Sequence, residues 1–215
     1  MYVQITNKCN MHCAHCCYSC GPDGEFMSRR TFIRACKIAE QNGENIFLGG
    51  GEPTLHPHFW EFLGLALRYN GTDSEIEVGV ITNGSRTDDA LALARLAKRG
   101  AIYAGLSQDE WHASIDKMVV MAFTKNNKSY GSRNDGPVDL REIRSVGSPH
   151  AQGRAKDWGG DGCCCPEIVV VPDGRIFGCG CLSVQLGTVE HPEVKDWGRH
   201  ECSKKMAETP IEEEA

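Results

Sequence analysis

The chain has 215 residues, 40% of them hydrophobic, which is enough to bury a full core and excludes a disordered chain. A formal net charge of −6 offers no basic face for a phosphate backbone, so nucleic acid is not an expected partner. Twelve cysteines come with no signal-peptide-like segment and no apolar run of about 18 residues, so no membrane contact is expected and the location should be cytoplasmic; in a reducing compartment, tightly spaced cysteines read as metal ligands rather than disulfides.

The short apolar segment Met1-Tyr2-Val3-Gln4-Ile5 reads as a strand and leads into Cys9-Asn10-Met11-His12-Cys13-Ala14-His15-Cys16, a C-x3-C-x2-C run. Three thiolates this close can wrap one metal centre. Soft thiolates select zinc, copper(I) or iron–sulfur clusters, and three ligands leave one position of a four-ligand centre open. Spacing alone also suits a zinc knuckle. Cys17 and Cys20 follow as a second C-x2-C before the turn Gly21-Pro22-Asp23-Gly24, and read either as incidental thiols or as part of a second metal centre.

From the N-cap Ser28, apolar Phe32, Ile33, Cys36 and Ala39 recur at helical spacing until Asn42-Gly43, with Cys36 in the core. Asn45-Ile46-Phe47-Leu48-Gly49-Gly50-Gly51-Glu52-Pro53 is a buried strand ending in a glycine turn. His56-Pro57-His58 lacks an acidic or cysteine partner at ligand spacing and reads as structural. An amphipathic stretch Phe59 to Tyr69, a turn at Asn70-Gly71, a strand Ile76 to Thr82 and an Ala/Leu-rich helix Thr87 to Arg99 come next. A fourth strand, Ala101 to Leu106, delivers Ser107-Gln108-Asp109-Glu110-Trp111-His112 to its C-terminal end, before a helix over residues 115 to 123. A fifth strand, Val138 to Val146, carries Arg141 and Arg144.

Alternating strands and helices of this length predict parallel strands with right-handed crossovers, and ligands in such folds gather at the C-terminal strand ends. The polar motifs lie at such ends, which predicts one shared site containing the cysteine loop, Glu52, Asn83 and the 107–112 loop.

Beyond the linker Gly159 to Gly162 comes Cys163-Cys164-Cys165, then two short strands, Ile168 to Val171 and Arg175 to Phe177, joined by Pro172-Asp173-Gly174. Cys179 and Cys181 come after them, so the hairpin brings two cysteine groups together. A hairpin of this size has little core of its own, and a metal centre would add stability. The tail Glu208 to Ala215 reads as a solvated end.

The C-x3-C-x2-C loop and the Gly-Gly-Glu-Pro strand end, in this order, resemble the radical S-adenosylmethionine (radical SAM) family, with His15 filling the slot where many members carry an aromatic residue. The resemblance implies a partial, open parallel β/α barrel over residues 1–158 and makes Cys9, Cys13 and Cys16 the ligands of a [4Fe-4S] cluster whose open iron takes S-adenosylmethionine (SAM). It implies that Gly49, Gly50, Gly51 and Glu52 hold the SAM ammonium. It makes Asn83, Ser107 and Asp109 candidates for ribose or adenine contacts and Asp109 or His112 for a proton donor or acceptor, and a guanidinium near the strand ends, Arg141, Arg144 or Arg154, suits the SAM carboxylate. Gly153-Arg154-Ala155 itself resembles an element of relatives with C-terminal extensions.

Residues 159–215 resemble the start of the SPASM and shorter twitch extensions, with Gly174 and Cys179 in place and with Leu186-Gly187-Thr188-Val189 and Trp197 similar to the next stretch of those proteins. That implies a second, auxiliary [4Fe-4S] cluster on Cys164 or Cys163 with Cys179 and Cys181; only Cys202 remains of the dense cysteine series of a full SPASM domain, so one auxiliary cluster is expected rather than two. The implied chemistry is reductive cleavage of SAM to a 5′-deoxyadenosyl radical that abstracts hydrogen from a peptide or small molecule, with a reductase, flavodoxin or ferredoxin as electron donor. The competing expectations are an activase that installs a glycyl radical on a partner enzyme and a non-catalytic iron–sulfur protein.

Overall fold

The structure, a computed structural model, describes residues 1–69, 77–125, 138–145, 151–158 and 168–193. The expected turn at Asn70-Gly71, the Cys163–Cys165 run, Trp197, Cys202 and the acidic tail lie outside the described residues.

Strand β1 (Tyr2–Thr6) is apolar enough to be buried on both faces, as a central parallel strand must be: Val3, Ile5 and Thr6 have no exposed surface. It pairs in parallel with β2 (Ile46–Gly50), β2 with β3 (Val78–Thr82), β3 with β4 (Tyr103–Ser107) and β4 with β5 (Arg141–Arg144). The observed strands fall within a residue or two of the expected ones, except that the fifth is shorter at both ends.

The crossovers are α1 (Arg29–Asn42), α2 (Phe59–Tyr69), α3 (Thr87–Lys98) and α4 (Lys117–Phe123). α1 starts where the Ser28 hydroxyl accepts from the Thr31 N–H at 3.1 Å and stops where Gly43 takes φ 65°, a left-handed conformation that glycine adopts without Cβ strain. Its inward face buries Phe32, Ala35, Cys36, Ile38 and Ala39, so Cys36 is a core residue as expected. Phe32 stacks on Phe62 of α2 with ring centroids 4.3 Å apart, and neither ring has exposed surface.

The C-terminal segment does not stand apart from this sheet. Its strand β6 (Val169–Val170) pairs in parallel with the free side of β1, and β7 (Arg175–Phe177) and β8 (Gln185–Thr188) continue antiparallel from it. The described strands thus form one eight-stranded open sheet in the order β5-β4-β3-β2-β1-β6-β7-β8. Ile168, Val170, Ile176, Leu186 and Val189 join the main core, so the hairpin gains from β1 the burial that it was expected to lack. β8 is a strand that sequence patterning does not reveal, because Gln185-Leu186-Gly187-Thr188 is too short and too glycine-broken to show a period of two.

Because β1 to β4 are adjacent and parallel, their C-terminal ends line one edge of the sheet, and there the cysteine loop, the glycine turn, Asn83 and the 107–112 loop emerge. The stacked pair beneath this arrangement predicts that Phe62→Ala lowers the unfolding free energy by about 3 to 5 kcal/mol, measured by urea denaturation of the iron-free chain.

Candidate metal and cofactor site

The loop after β1 closes on itself before any metal is considered. The Cys9 N–H donates to the Gly21 carbonyl at 2.8 Å, Asn7 N–H to Glu25 O at 3.3 Å and Cys16 N–H to Cys13 O at 3.2 Å, so the three cysteines of the motif ride on a short, internally bonded excursion. All three are free thiols; Cys9 is 8% exposed, and Cys13 and Cys16 are half-buried. Burial pushes the Cys9 and Cys13 thiols up. Cys16 goes the other way: the Cys20 thiol hydrogen-bonds to it and holds it low against its burial, and the same bond pushes Cys20 up. Cys20, 2% exposed, is thus part of this centre's immediate surroundings, which its place on the expected turn does not reveal.

The glycine turn is pressed against this loop. Gly50 has φ 135°, and a Cβ built on it would sit 1.9 Å from the Thr6 carbonyl oxygen; one on Gly51 would lie 2.2 Å from Lys8 O and 2.9 Å from the Cys9 Cβ. Only glycine allows two backbones this close. Gly49 lies against Tyr2, whose hydroxyl accepts the Gly50 N–H at 2.8 Å. The glycines therefore serve first to let β2 dock on β1 and the cysteine loop, whereas the resemblance assigns them to a ligand.

Glu52 is enclosed by the protein's own donors. Its carboxylate has no exposed surface; Oε1 accepts from Thr54 N–H at 3.1 Å, Thr54 Oγ1 at 2.6 Å and Thr82 Oγ1 at 2.9 Å, and Oε2 accepts from Asn83 N–H at 2.6 Å. Burial pushes this carboxyl up, while the four donors act to keep it charged. With both oxygens engaged by the protein, the side chain clamps the ends of β2 and β3 together.

Asn83, 6% exposed, reaches the cysteine loop: its Nδ2 lies 3.8 Å from the Cys9 sulfur and 3.2 Å from Asn10 Oδ1. Ser107 ends β4 beside Arg144 of β5, and the Arg144 side chain is exposed, lying over Gly105. Arg141 is structural, with its guanidinium on Asp139 and on the Ala122 carbonyl. Arg154 turns to the cysteine loop: its Nε donates to Cys13 O at 2.9 Å and its Nη1 to Cys20 O at 2.8 Å, while its own N–H donates to Cys16 O at 3.0 Å. It is a brace on the cysteine loop, and its charge also lowers the Cys13 and Cys16 thiols.

Asp109 and His112 are brought together, His112 Nδ1 lying 2.6 Å from Asp109 Oδ1. His15 packs edge-on against His112 with ring centroids 4.8 Å apart, and Trp111 stands between His15 and Trp158. Burial, and then the neighbouring His112, lowers the His15 pKa. His56 is buried with Nε2 on the Met27 carbonyl and Nδ1 accepting from His58 N–H, whereas the exposed His58 ring does have an acidic neighbour, its Nδ1 lying 3.3 Å from Glu61 Oε2.

In the hairpin, the Cys179 and Cys181 sulfurs lie 2.9 Å apart, with Ser183 Oγ at 3.4 and 3.2 Å. Burial raises the Cys179 thiol, but the bonds from Cys181 and Ser183 outweigh it and bring it down to about 6. Their expected companion Cys164 is outside the described residues.

Three free thiols on one loop fit an iron–sulfur cluster, and a polar ligand beside it also fits. Gln108 Oε1 and Gln152 Oε1, on the two segments that flank the loop, are buried and have no hydrogen-bond partner. The family model described as the radical SAM superfamily matches residues 3–127, well over half of the chain. The chain belongs to the radical SAM superfamily. The family implies a [4Fe-4S] cluster and SAM as its cofactors. Among curated relatives, mycofactocin maturase MftC of Mycobacterium ulcerans is 31% identical over 118 residues, 54% of this chain and 30% of that protein. This chain therefore spans about 30% of the length of that relative. In the fold, BtrN in complex with AdoMet and 2-DOIA matches with a TM-score of 0.58 at 16% identity, covering 88% of this chain and 77% of that one. The anSMEcpe structure with bound AdoMet matches at 0.59 and 16%, covering 90% and 79%. Both share the open, mostly parallel sheet with this radical SAM chain.

Two consequences are measurable without any cofactor. Glu52→Ala orphans several buried donors and is expected to lower the unfolding free energy of the iron-free chain by more than about 3 kcal/mol; unchanged stability with weakened SAM binding would instead make the carboxylate a ligand. Arg154→Ala should lower that stability by roughly 1.5 to 3 kcal/mol and speed loss of iron from the reconstituted protein, with Arg154→Lys restoring only part because a point charge cannot span both carbonyls.

Proposed function

We propose that Cys9, Cys13 and Cys16 hold a [4Fe-4S] cluster and that the chain uses it with SAM to modify a peptide or small molecule by hydrogen abstraction. The observation that carries this reading is the loop itself: three free thiols held at the C-terminal edge of an open parallel sheet, braced by Arg154 and backed by the glycine turn. When bound, the cluster and SAM supply one-electron cleavage to a 5′-deoxyadenosyl radical. The chain's residues bind, orient and shield. Asn83 fixes the Cys9 side of the loop, Ser107 and Arg144 at the ends of β4 and β5 are the polar groups offered to a nucleoside or a carboxylate, and the buried Gln108 and Gln152 oxygens accept from a ligand's donors. Asp109 or His112 is the group offered for proton transfer.

Cys179 and Cys181, with Cys164, form the proposed auxiliary [4Fe-4S] site; the Cys179 and Cys181 sulfurs lie 2.9 Å apart. A small electron-donor protein such as a flavodoxin or ferredoxin would supply the electron. The maturase name of MftC and the complex of BtrN with 2-DOIA favour substrate modification over glycyl-radical installation.

Anaerobically reconstituted protein should hold about eight irons, and replacing Cys9, Cys13 and Cys16 together with alanine should remove about half and abolish SAM cleavage. With substrate present, deuterium from one of its C–H positions should appear in 5′-deoxyadenosine. A glycine-centred radical on a partner protein, seen by electron paramagnetic resonance, would replace this reading with the activase, and a loaded cluster that never cleaves SAM would replace it with a non-catalytic protein.

A further inference from the structure

We infer that His15, Asp109 and His112 form a binding site for a divalent cation of the zinc class, separate from the cysteine ligand set. The three side chains each present one ligand atom, and these atoms all lie within 4.8 Å of one another. Two imidazoles and one carboxylate are a donor set that suits zinc and its first-row neighbours, and they leave coordination positions open for water or a ligand. With bonds of about 2.0 to 2.2 Å, a tetrahedral ion needs ligand atoms roughly 3.3 Å apart, so the side chains have to close in on the ion as it binds.

A second observation points to a ligand. His15 is 8% exposed, yet its Nδ1 has no hydrogen-bond partner, a cost that buried polar atoms in a folded protein rarely carry. The other two side chains are equally withdrawn, at 10% exposure for His112 and 7% for Asp109. They are also held beside each other in advance: Asp109 Oδ1 accepts the Trp111 N–H at 3.0 Å and lies 2.6 Å from His112 Nδ1, a hydrogen bond that an entering ion replaces. The group draws on two separate chain segments, the cysteine loop and the loop after β4, so an ion there would tie them together.

The test is zinc binding to the full-length, cluster-loaded protein. Equilibrium dialysis against Zn²⁺, with zinc and iron counted together, should find one zinc per chain that His112→Gln and Asp109→Asn each weaken by at least about tenfold while iron content stays constant. X-ray absorption at the zinc edge of the wild type should show nitrogen and oxygen donors with imidazole scattering. Equal zinc binding in the wild type and both variants overturns the site, as does a zinc shell made of sulfur alone. The absorption measurement decides the matter even if a variant loses its cluster, because it reads the donors in the unaltered protein.

Discussion

One buried carboxylate holds the working edge of this protein together. Glu52 leaves the end of β2, has no contact with solvent, and binds the Thr82 hydroxyl and Asn83 N–H at the end of β3. Its own N–H meanwhile donates to Lys8 O on the way into the cysteine loop, at 2.9 Å. A charge taken out of water this completely is tolerated only when its lone pairs are filled, and here four donors fill them. The three strand ends are thus positioned relative to one another by a single residue, and the loop that carries the thiols inherits that position. Gly50 and Gly51 make the same constraint possible from the backbone side, by removing the Cβ atoms that would hold β2 away from Thr6 and Lys8.

The architecture is legible in the sequence because the strands are hydrophobic on both faces and the helices show a clear period of about 3.6, capped by Ser28 and Gly43. The C-x3-C-x2-C run and the glycine turn are equally plain, since both depend on residue types with few alternative uses. What each polar side chain touches is not legible. Glu52 and Arg154 carry charges suited to a zwitterionic ligand, yet both are used on the protein's own groups, Arg154 across about 140 residues of sequence. Such long-range partners leave no periodic or spacing signal. The same holds for the Cys20 thiol's bond to Cys16, where the sequence suggests an incidental thiol or a second metal centre, and for His15, which occupies a motif slot while its ring faces residues of the loop after β4.

The hairpin illustrates a different reason for partial legibility. Its turn is visible in Pro172-Asp173-Gly174, and its two strands in their apolar residues. Its attachment to β1 is not, because pairing between residues about 165 apart depends on which edge of the sheet is free. That edge is free because β1 to β5 are laid down in sequence order away from β1, leaving the first strand as a boundary until the last part of the chain arrives.

This late arrival has a bearing on how the chain behaves as it is made. Until β6 docks, β1 offers an unpaired row of N–H and C=O groups along an apolar strand, the kind of template on which other chains assemble. The strand most in need of protection is thus covered by a segment synthesised more than 160 residues after it. Such a long-range closure is slow to find and leaves the nascent chain exposed to self-association in the interval. Docking of the C-terminal hairpin closes part of that edge, independently of anything its cysteines bind.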